Sequence, residues 1–139
     1  MLSNNVITEV NRDSVENYLS SVEGIETVFK EIGFEIDGMN ERDPDYVVVY
    51  AGVSDIMEPA KRYTEIGKNW FNMKKETIQK KICSNPDVIG WMEKDEKIVD
   101  LVLALATIIL PEFAPYMAVR IAYLIAKEGL KKFCNNNKF

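Results

Sequence analysis

Acidic side chains are concentrated in residues 31–58, which we call the acidic segment. It holds eight carboxylates and one basic residue, Arg42. A concentration of one charge of this kind attracts a partner of opposite charge and speeds their association. We therefore predict that residues of this segment bind a protein partner with a basic surface: Glu35, Asp37, Glu41, Asp43, Asp45, Asp55 and Glu58.

The same carboxylates have a second interpretation. The stretch EIDGMNERDPD offers oxygen ligands of the type that calcium and magnesium prefer, but its spacing differs from that of an EF-hand loop. A second acidic cluster could take part in acid–base chemistry; it comprises Glu93, Asp95, Glu96 and Asp100. Solvated turns explain both patterns more simply. A carboxylate-based metal protein or enzyme is therefore an alternative, and we predict no metal site and no cofactor.

Other residues that commonly carry catalysis are missing from the sequence. The chain contains no histidine, the side chain most often used as a general base near neutral pH. It also lacks a glycine-rich phosphate loop and a GxSxG motif. Cys83 and Cys134 match neither a zinc motif nor a thioredoxin motif, and we expect buried or free thiols. These observations favour a non-catalytic protein.

A basic amphipathic helix is predicted over residues 60–83. Its lysines could contact anions or anionic lipid; they are Lys68, Lys74, Lys75, Lys80 and Lys81. Residues 1–59 carry a net charge of −10 and residues 60–83 one of +5. Some of these lysines are therefore expected to pair with the acidic part of the chain. The overall pI of about 4.9 opposes nucleic-acid binding.

Apolar spacing predicts helices over 13–32, 60–83, 98–110 and 115–133. The first should begin at Asp13 or Ser14, be interrupted at Gly24 and end at Gly33. Asn85 and Pro86 should start a short helix. Residues 34–50 are ambiguous: their β-branched run allows a small β-hairpin. The Asp43-Pro44-Asp45 start and the spacing Val49, Val53, Ile56 favour a helix over 45–58, with a kink or new start at Pro59.

The most apolar part of the chain is residues 101–126. Its longest uncharged run has 11 residues, between Asp100 and Glu112, whereas a membrane-spanning helix needs about 20. We predict that residues 98–110 form a buried central helix, and that 115–133 form a helix with one apolar side. Release of 98–126 as a membrane-active or membrane-sensing hairpin is the first alternative.

Together these patterns predict a mainly α-helical, single-domain bundle over residues 1–139, with frayed ends at 1–12 and 135–139. The N-terminus lacks a secretory signal, so we expect a cytoplasmic protein. The function predicted is protein–protein interaction, with an immunity-like or antitoxin-like neutraliser of a basic protein as its concrete form.

Overall fold

The computed structural model describes residues 7–92, 94 and 96–135. Most of the ends predicted to be frayed, together with Glu93 and Asp95, lie outside these residues. The described part is mainly helical, as predicted. Its helices are α1 (Arg12–Ser21), α2 (Ile25–Ile36), α3 (Tyr46–Val49), α4 (Pro59–Cys83), α5 (Pro86–Met92), α6 (Ile98–Ile109), α7 (Pro115–Glu128) and α8 (Leu130–Asn135).

The chain forms two compact units. Among the described residues, unit 1 comprises 22–75 and therefore contains α2, α3 and most of α4. Unit 2 comprises 7–21 and 76–135, and contains α1, the end of α4 and α5 to α8. The single-domain organisation over 1–139 stays a prediction.

In unit 1, two glycines allow α2 and α4 to approach each other at backbone distance. A Cβ atom at Gly33 would overlap the backbone carbonyl of Tyr63, and one at Gly67 would overlap that of Phe29. The prediction that Gly33 ends the helix is therefore wrong: α2 continues to Ile36. Here the missing side chain serves helix packing rather than helix termination.

Three other local predictions for residues 13–58 need correction. The interruption predicted at Gly24 does divide 13–32 into two helices, but Asn11 rather than Asp13 or Ser14 caps the first: its Oδ1 accepts a hydrogen bond from Ser14 N at 2.8 Å. The small hairpin within 34–50 is not formed, because 34–36 belong to α2 and 46–49 to α3. The helix predicted over 45–58 is confined to the single turn of α3, and a new helix starts at Pro59.

In unit 2 the most enclosed helix is α7, and not the 98–110 helix predicted to be central. Residues 117–125 of α7 are all buried. Helix α6 packs against α7 and α1, but it buries only one face and leaves Thr107 exposed. Helix α6 is therefore less buried than its apolar composition predicts.

Two residues of α7 that carry polar groups are buried as well. Arg120 is 3% and Tyr123 4% exposed. Arg120 Nη1 donates to Tyr116 O at 2.8 Å, and its guanidinium lies 5.2 Å from the centre of the Tyr18 ring. Because these contacts partly replace water, an arginine can occupy a buried position. The continuous helix predicted over 115–133 ends at Glu128, and α8 follows Gly129, whose φ is 103°.

A disulfide bond joins Cys83, at the end of α4, to Cys134 in α8. The expectation of buried or free thiols is therefore wrong. A second link lies beside the disulfide, since Gln79 Nε2 donates to Phe133 O at 2.9 Å. A separation of 51 residues gives no local sequence signal for the pairing, which depends on the tertiary approach of α8 to α4.

Candidate protein interaction site

The acidic segment runs from the last turn of α2 to the start of α4. Between α2 and α3 its backbone turns are held locally: Asn40 Oδ1 accepts from Arg42 N at 2.8 Å, and Asp43 Oδ1 accepts from Asp45 N at 2.9 Å. Such short-range bonds are typical of Asn and Asp in turns. Local chemistry thus shapes the segment, while helix α4 fixes it in place.

Arg62, on α4, contacts carboxylates near both ends of the segment. Its Nη2 lies 3.2 Å from Asp37 Oδ1, and its Nη1 lies 3.3 Å from Asp55 Oδ1. A guanidinium can do this because its donors point in several fixed directions. The segment from Asp37 to Asp55 therefore forms a loop whose two ends contact the same cation.

Tyr50 adds a second set of contacts at the same point. Its hydroxyl donates to Asp37 Oδ1 at 2.7 Å and accepts from Gly38 N at 3.0 Å. Its ring stacks on that of Tyr46, with ring centres 4.4 Å apart, and lies 5.7 Å from the Arg62 guanidinium. The end of α3 is thereby joined to the beginning of the loop.

Two further side chains of α4 hold the middle of the segment. Asn69 Nδ2 donates to the backbone carbonyls of Val49 and Ala51, each at 2.9 Å. Lys74 Nζ lies 3.9 Å from Asp45 Oδ2. The carbonyls that Asn69 binds are at the C-terminal end of α3, where helices leave acceptors without intrahelical partners.

These contacts change the acid–base properties of Asp37 and Tyr50. Burial alone would raise the pKa of Asp37, but hydrogen bonds from Tyr50 and Gly38 and the charge of Arg62 outweigh it, and the pKa lies below its usual value. Burial, together with the hydrogen bond to Asp37, raises the pKa of Tyr50. Asp37 is therefore an anchor that is held in its ionised form.

The seven predicted partner-binding residues divide into two groups. Asp37, Asp45 and Asp55 form ion pairs with α4. The other four are exposed and form no ion pair with any residue that the structure describes: Glu35, Glu41, Asp43 and Glu58. No described residue compensates their charge, whereas Asp37 and Asp45 are partly enclosed in their ion pairs; Asp55, although paired, has a fully exposed side chain.

Three apolar residues of this segment are exposed although their sequence pattern does not indicate it. Val47 is 78%, Val48 48% and Ile56 95% exposed. Ile56 was expected on the inward side of a helix, together with Val49 and Val53. Because α3 ends at Val49, that helical spacing does not extend to Ile56. The neighbouring Val49 is fully buried.

Most of the lysines predicted to contact anions or lipid form ion pairs with carboxylates of the chain itself. Lys68 pairs with Glu26 at 3.3 Å, Lys80 with Glu76 at 3.4 Å and Lys81 with Glu112 at 3.7 Å. Lys74 pairs with Asp45 as described above, and Lys75 also has an interaction within the chain. Nearby acidic residues thus partly neutralise the positive charge of this helix.

A groove of about 440 Å³ lies between α2 and the first half of α4. It is lined by three lysines, three glutamates and two threonines: Lys30, Lys61, Lys68, Glu26, Glu58, Glu65, Thr27 and Thr64. Its balanced charges favour neither anions nor cations. Within residues 7–92, 94 and 96–135, no group of three or more Asp, Glu or Cys side chains is placed to hold a metal ion.

Within the described part of the chain, no helix is both long enough and apolar enough to cross a membrane. No protein-family model, no curated protein and no solved structure matches this chain.

Proposed function

We propose that this chain is a non-catalytic interaction protein that binds a basic protein partner through its acidic segment. The observation that carries the proposal is the division of its carboxylates. Asp37, Asp45 and Asp55 form ion pairs with α4, although Asp55 is itself fully exposed, while Glu35, Glu41, Asp43 and Glu58 are exposed and have no described ion pair. A preformed acidic surface of this kind accelerates association with a cationic protein.

Neutralisation of a basic enzyme or toxin, the immunity-like or antitoxin-like role, is the concrete form of the proposal. Such a protein works by covering a cationic surface, for which shape and charge suffice. The acidic segment provides charge without requiring a catalytic group. The anchoring by Arg62 and Asn69 lowers the conformational entropy lost on binding, since less of the segment must be ordered at that moment.

The test compares two variants of equal charge. In the site variant, Glu35→Gln, Glu41→Gln, Asp43→Asn and Glu58→Gln remove the four exposed carboxylates. In the control variant, Glu9→Gln, Asp13→Asn, Asp87→Asn and Glu96→Gln remove four exposed carboxylates elsewhere. Affinity isolation from the native cells at low salt should recover a basic protein with the wild type and the control, but not with the site variant.

The recovered protein then supplies a kinetic measurement. Stopped-flow association with the site variant should be at least about tenfold slower than with the control, and should depend less on salt. If both variants recover the same proteins, or if the protein lost by the site variant is acidic, the proposal is wrong.

The cellular location forms part of the proposal. We infer a cytoplasmic protein from the sequence, but the Cys83–Cys134 disulfide is of a type that persists mainly in oxidising compartments and is rare in the cytosol. Alkylation of protein taken directly from native cells, followed by mass spectrometry, measures the thiol content. Two alkylated cysteines agree with a cytoplasmic location, whereas an intact disulfide favours an oxidising compartment.

A further inference from the structure

Exposed large apolar side chains are unevenly distributed over the described residues. Four of seven lie within residues 34–56: Phe34, Val47, Val48 and Ile56, the others being Ile25, Ile89 and Ile98. Isolated apolar side chains on a surface need no explanation. Their concentration in a segment that also holds exposed carboxylates is different, because protein interfaces commonly combine an apolar centre with a polar rim.

Contacts of the residues that follow Val47 and Val48 hold these two valines in position. Their neighbour Val49 is fully buried, and its carbonyl accepts a hydrogen bond from Asn69 on α4. Tyr50, the residue after α3, is bonded to Asp37, which in turn binds Arg62. Helix α3 is therefore bound to α4 through the Asn69 hydrogen bond, with Val49 buried and Val47 and Val48 exposed to solvent.

Ile56 lies in the other exposed part of the segment. Asp55, immediately before it, pairs with Arg62, and Ile56 N donates to Ser54 Oγ at 3.2 Å. The backbone next to Ile56 is thus tied to the same arginine that holds Asp37. Arg62 therefore contacts the residue next to Ile56 directly and, through Asp37 and Tyr50, the end of α3.

We propose that Val47, Val48 and Ile56, which we call the contact centre, each supply apolar contacts to a basic protein partner, and that Arg62 and Asn69 are positioning residues for the segment that carries them. This inference rests on the proposed function and assigns separate roles within the segment. The exposed carboxylates govern the rate of encounter, and the apolar residues govern how long the complex lasts. The partner must therefore present apolar side chains surrounded by lysines or arginines.

The test introduces the photoreactive residue p-benzoylphenylalanine, in the native cells, at position 47, 48 or 56, and at position 89 as the control. Ile89 is a suitable control because it is 53% exposed but lies on α5 in unit 2. Irradiation should give one common adduct from positions 47 and 56 that is missing from position 89. Peptide mapping should place the crosslink in a stretch of the partner that contains apolar and basic residues. Absence of an adduct from 47 and 56, or an equal adduct from 89, overturns the inference.

The identified partner then separates the two proposals. Val47→Ser with Val48→Ser should increase the dissociation rate at least about tenfold and leave the salt dependence of association unchanged, whereas Ile89→Ser should alter neither. If the serine variants bind normally while neutralised carboxylates slow association, the contact centre is wrong and the proposed function stands. If the serine variants dissociate faster but the carboxylates have no effect, the basic-partner function is wrong.

The positioning role has its own measurement. Arg62→Gln and Asn69→Ala should increase amide hydrogen exchange of residues 46–51 in the free protein, and weaken binding even though neither side chain is part of the proposed contact centre. Exchange that stays at the wild-type rate in both variants would remove the positioning role, whatever the partner. Circular dichroism at the same temperature confirms that the variants remain folded.

Discussion

Unit 1 and unit 2 use different interactions to hold their helices and loops. In unit 2, α7 is enclosed by apolar side chains over nine consecutive residues, and a disulfide fixes α8 to the end of α4. In unit 1, side chains of α4 hold an exposed segment through ion pairs and hydrogen bonds, and five large apolar side chains remain exposed among the described residues. The segment proposed for recognition is thus positioned by polar contacts with α4 together with the buried side chain of Val49, while Val47, Val48 and Ile56 stay exposed.

Among the variants that test this difference between the units, removal of the disulfide should cause the largest loss in the free energy of unfolding. Cys134→Ser should lower the free energy of unfolding by about 4 kcal/mol, the loop-closure value expected for the 51-residue separation. Urea denaturation of the variant, and of the wild type with dithiothreitol, should show equal losses. The double variant with Cys83→Ser should lose no more than the single one, because one crosslink is removed in each case. Unchanged stability of Cys134→Ser would contradict the role assigned to the disulfide.

A side chain added where α2 and α4 approach closely should cause the next largest loss of stability. Gly67→Ala should destabilise the protein by about 2 to 3 kcal/mol, because the added Cβ overlaps the backbone of Phe29. The matched control is Gly90→Ala in α5, where an added Cβ meets no atom within 4 Å. This control should gain about 0.5 to 1 kcal/mol through its higher helix propensity. Thermal denaturation measures both, and similar changes for the two alanines would show that unit 1 is not packed as described.

Substitution of Asp37, the polar anchor of unit 1, should cause a smaller loss in the free energy of unfolding, and this loss should depend on pH. The pKa of Asp37 is lowered in the folded state, so its contribution is present above the unfolded pKa of about 3.9 and is lost as pH falls through the folded value. At pH 7 Asp37→Asn should cost about 1 to 2 kcal/mol.

The difference between wild type and Asp37→Asn should therefore decrease as the pH is lowered from 5 towards 2. Urea denaturation at several pH values measures this difference, and Glu41→Gln is the control because Glu41 is exposed and has no described ion pair. A difference between wild type and Asp37→Asn that is constant with pH would show that ionisation of Asp37 does not stabilise the segment.

The smallest effect on stability should come from the exposed apolar residues. Val47→Ser and Ile56→Ser should each change the free energy of unfolding by less than about 0.5 kcal/mol, because 78% and 95% of these residues is already exposed. Val49→Ser, one position further along α3, should cost more than about 2 kcal/mol because Val49 is fully buried. A large loss at Val47 or Ile56 would mean that these side chains stabilise the fold and are not reserved for a partner.

Local chemistry made several elements predictable from the sequence. Prolines mark the starts of α4, α5 and α7, and Asn85 Oδ1 accepts from Asp87 N at 2.9 Å in the predicted cap of α5. The periodic apolar residues of 60–83 predicted α4 closely, because a long amphipathic helix carries its signal over many turns. The acidic segment was equally visible, since charge is a property of composition.

The amino-acid sequence by itself therefore determined the mainly helical class, the main helix starts and the location of the acidic charge, all of which depend on neighbours along the chain. Tertiary structure decided that Gly33 is a packing contact and that Cys83 bonds to Cys134. It also decided which carboxylates are anchored and which apolar residues are exposed. These features depend on residues distant in sequence, whose approach produces no periodic or local signal.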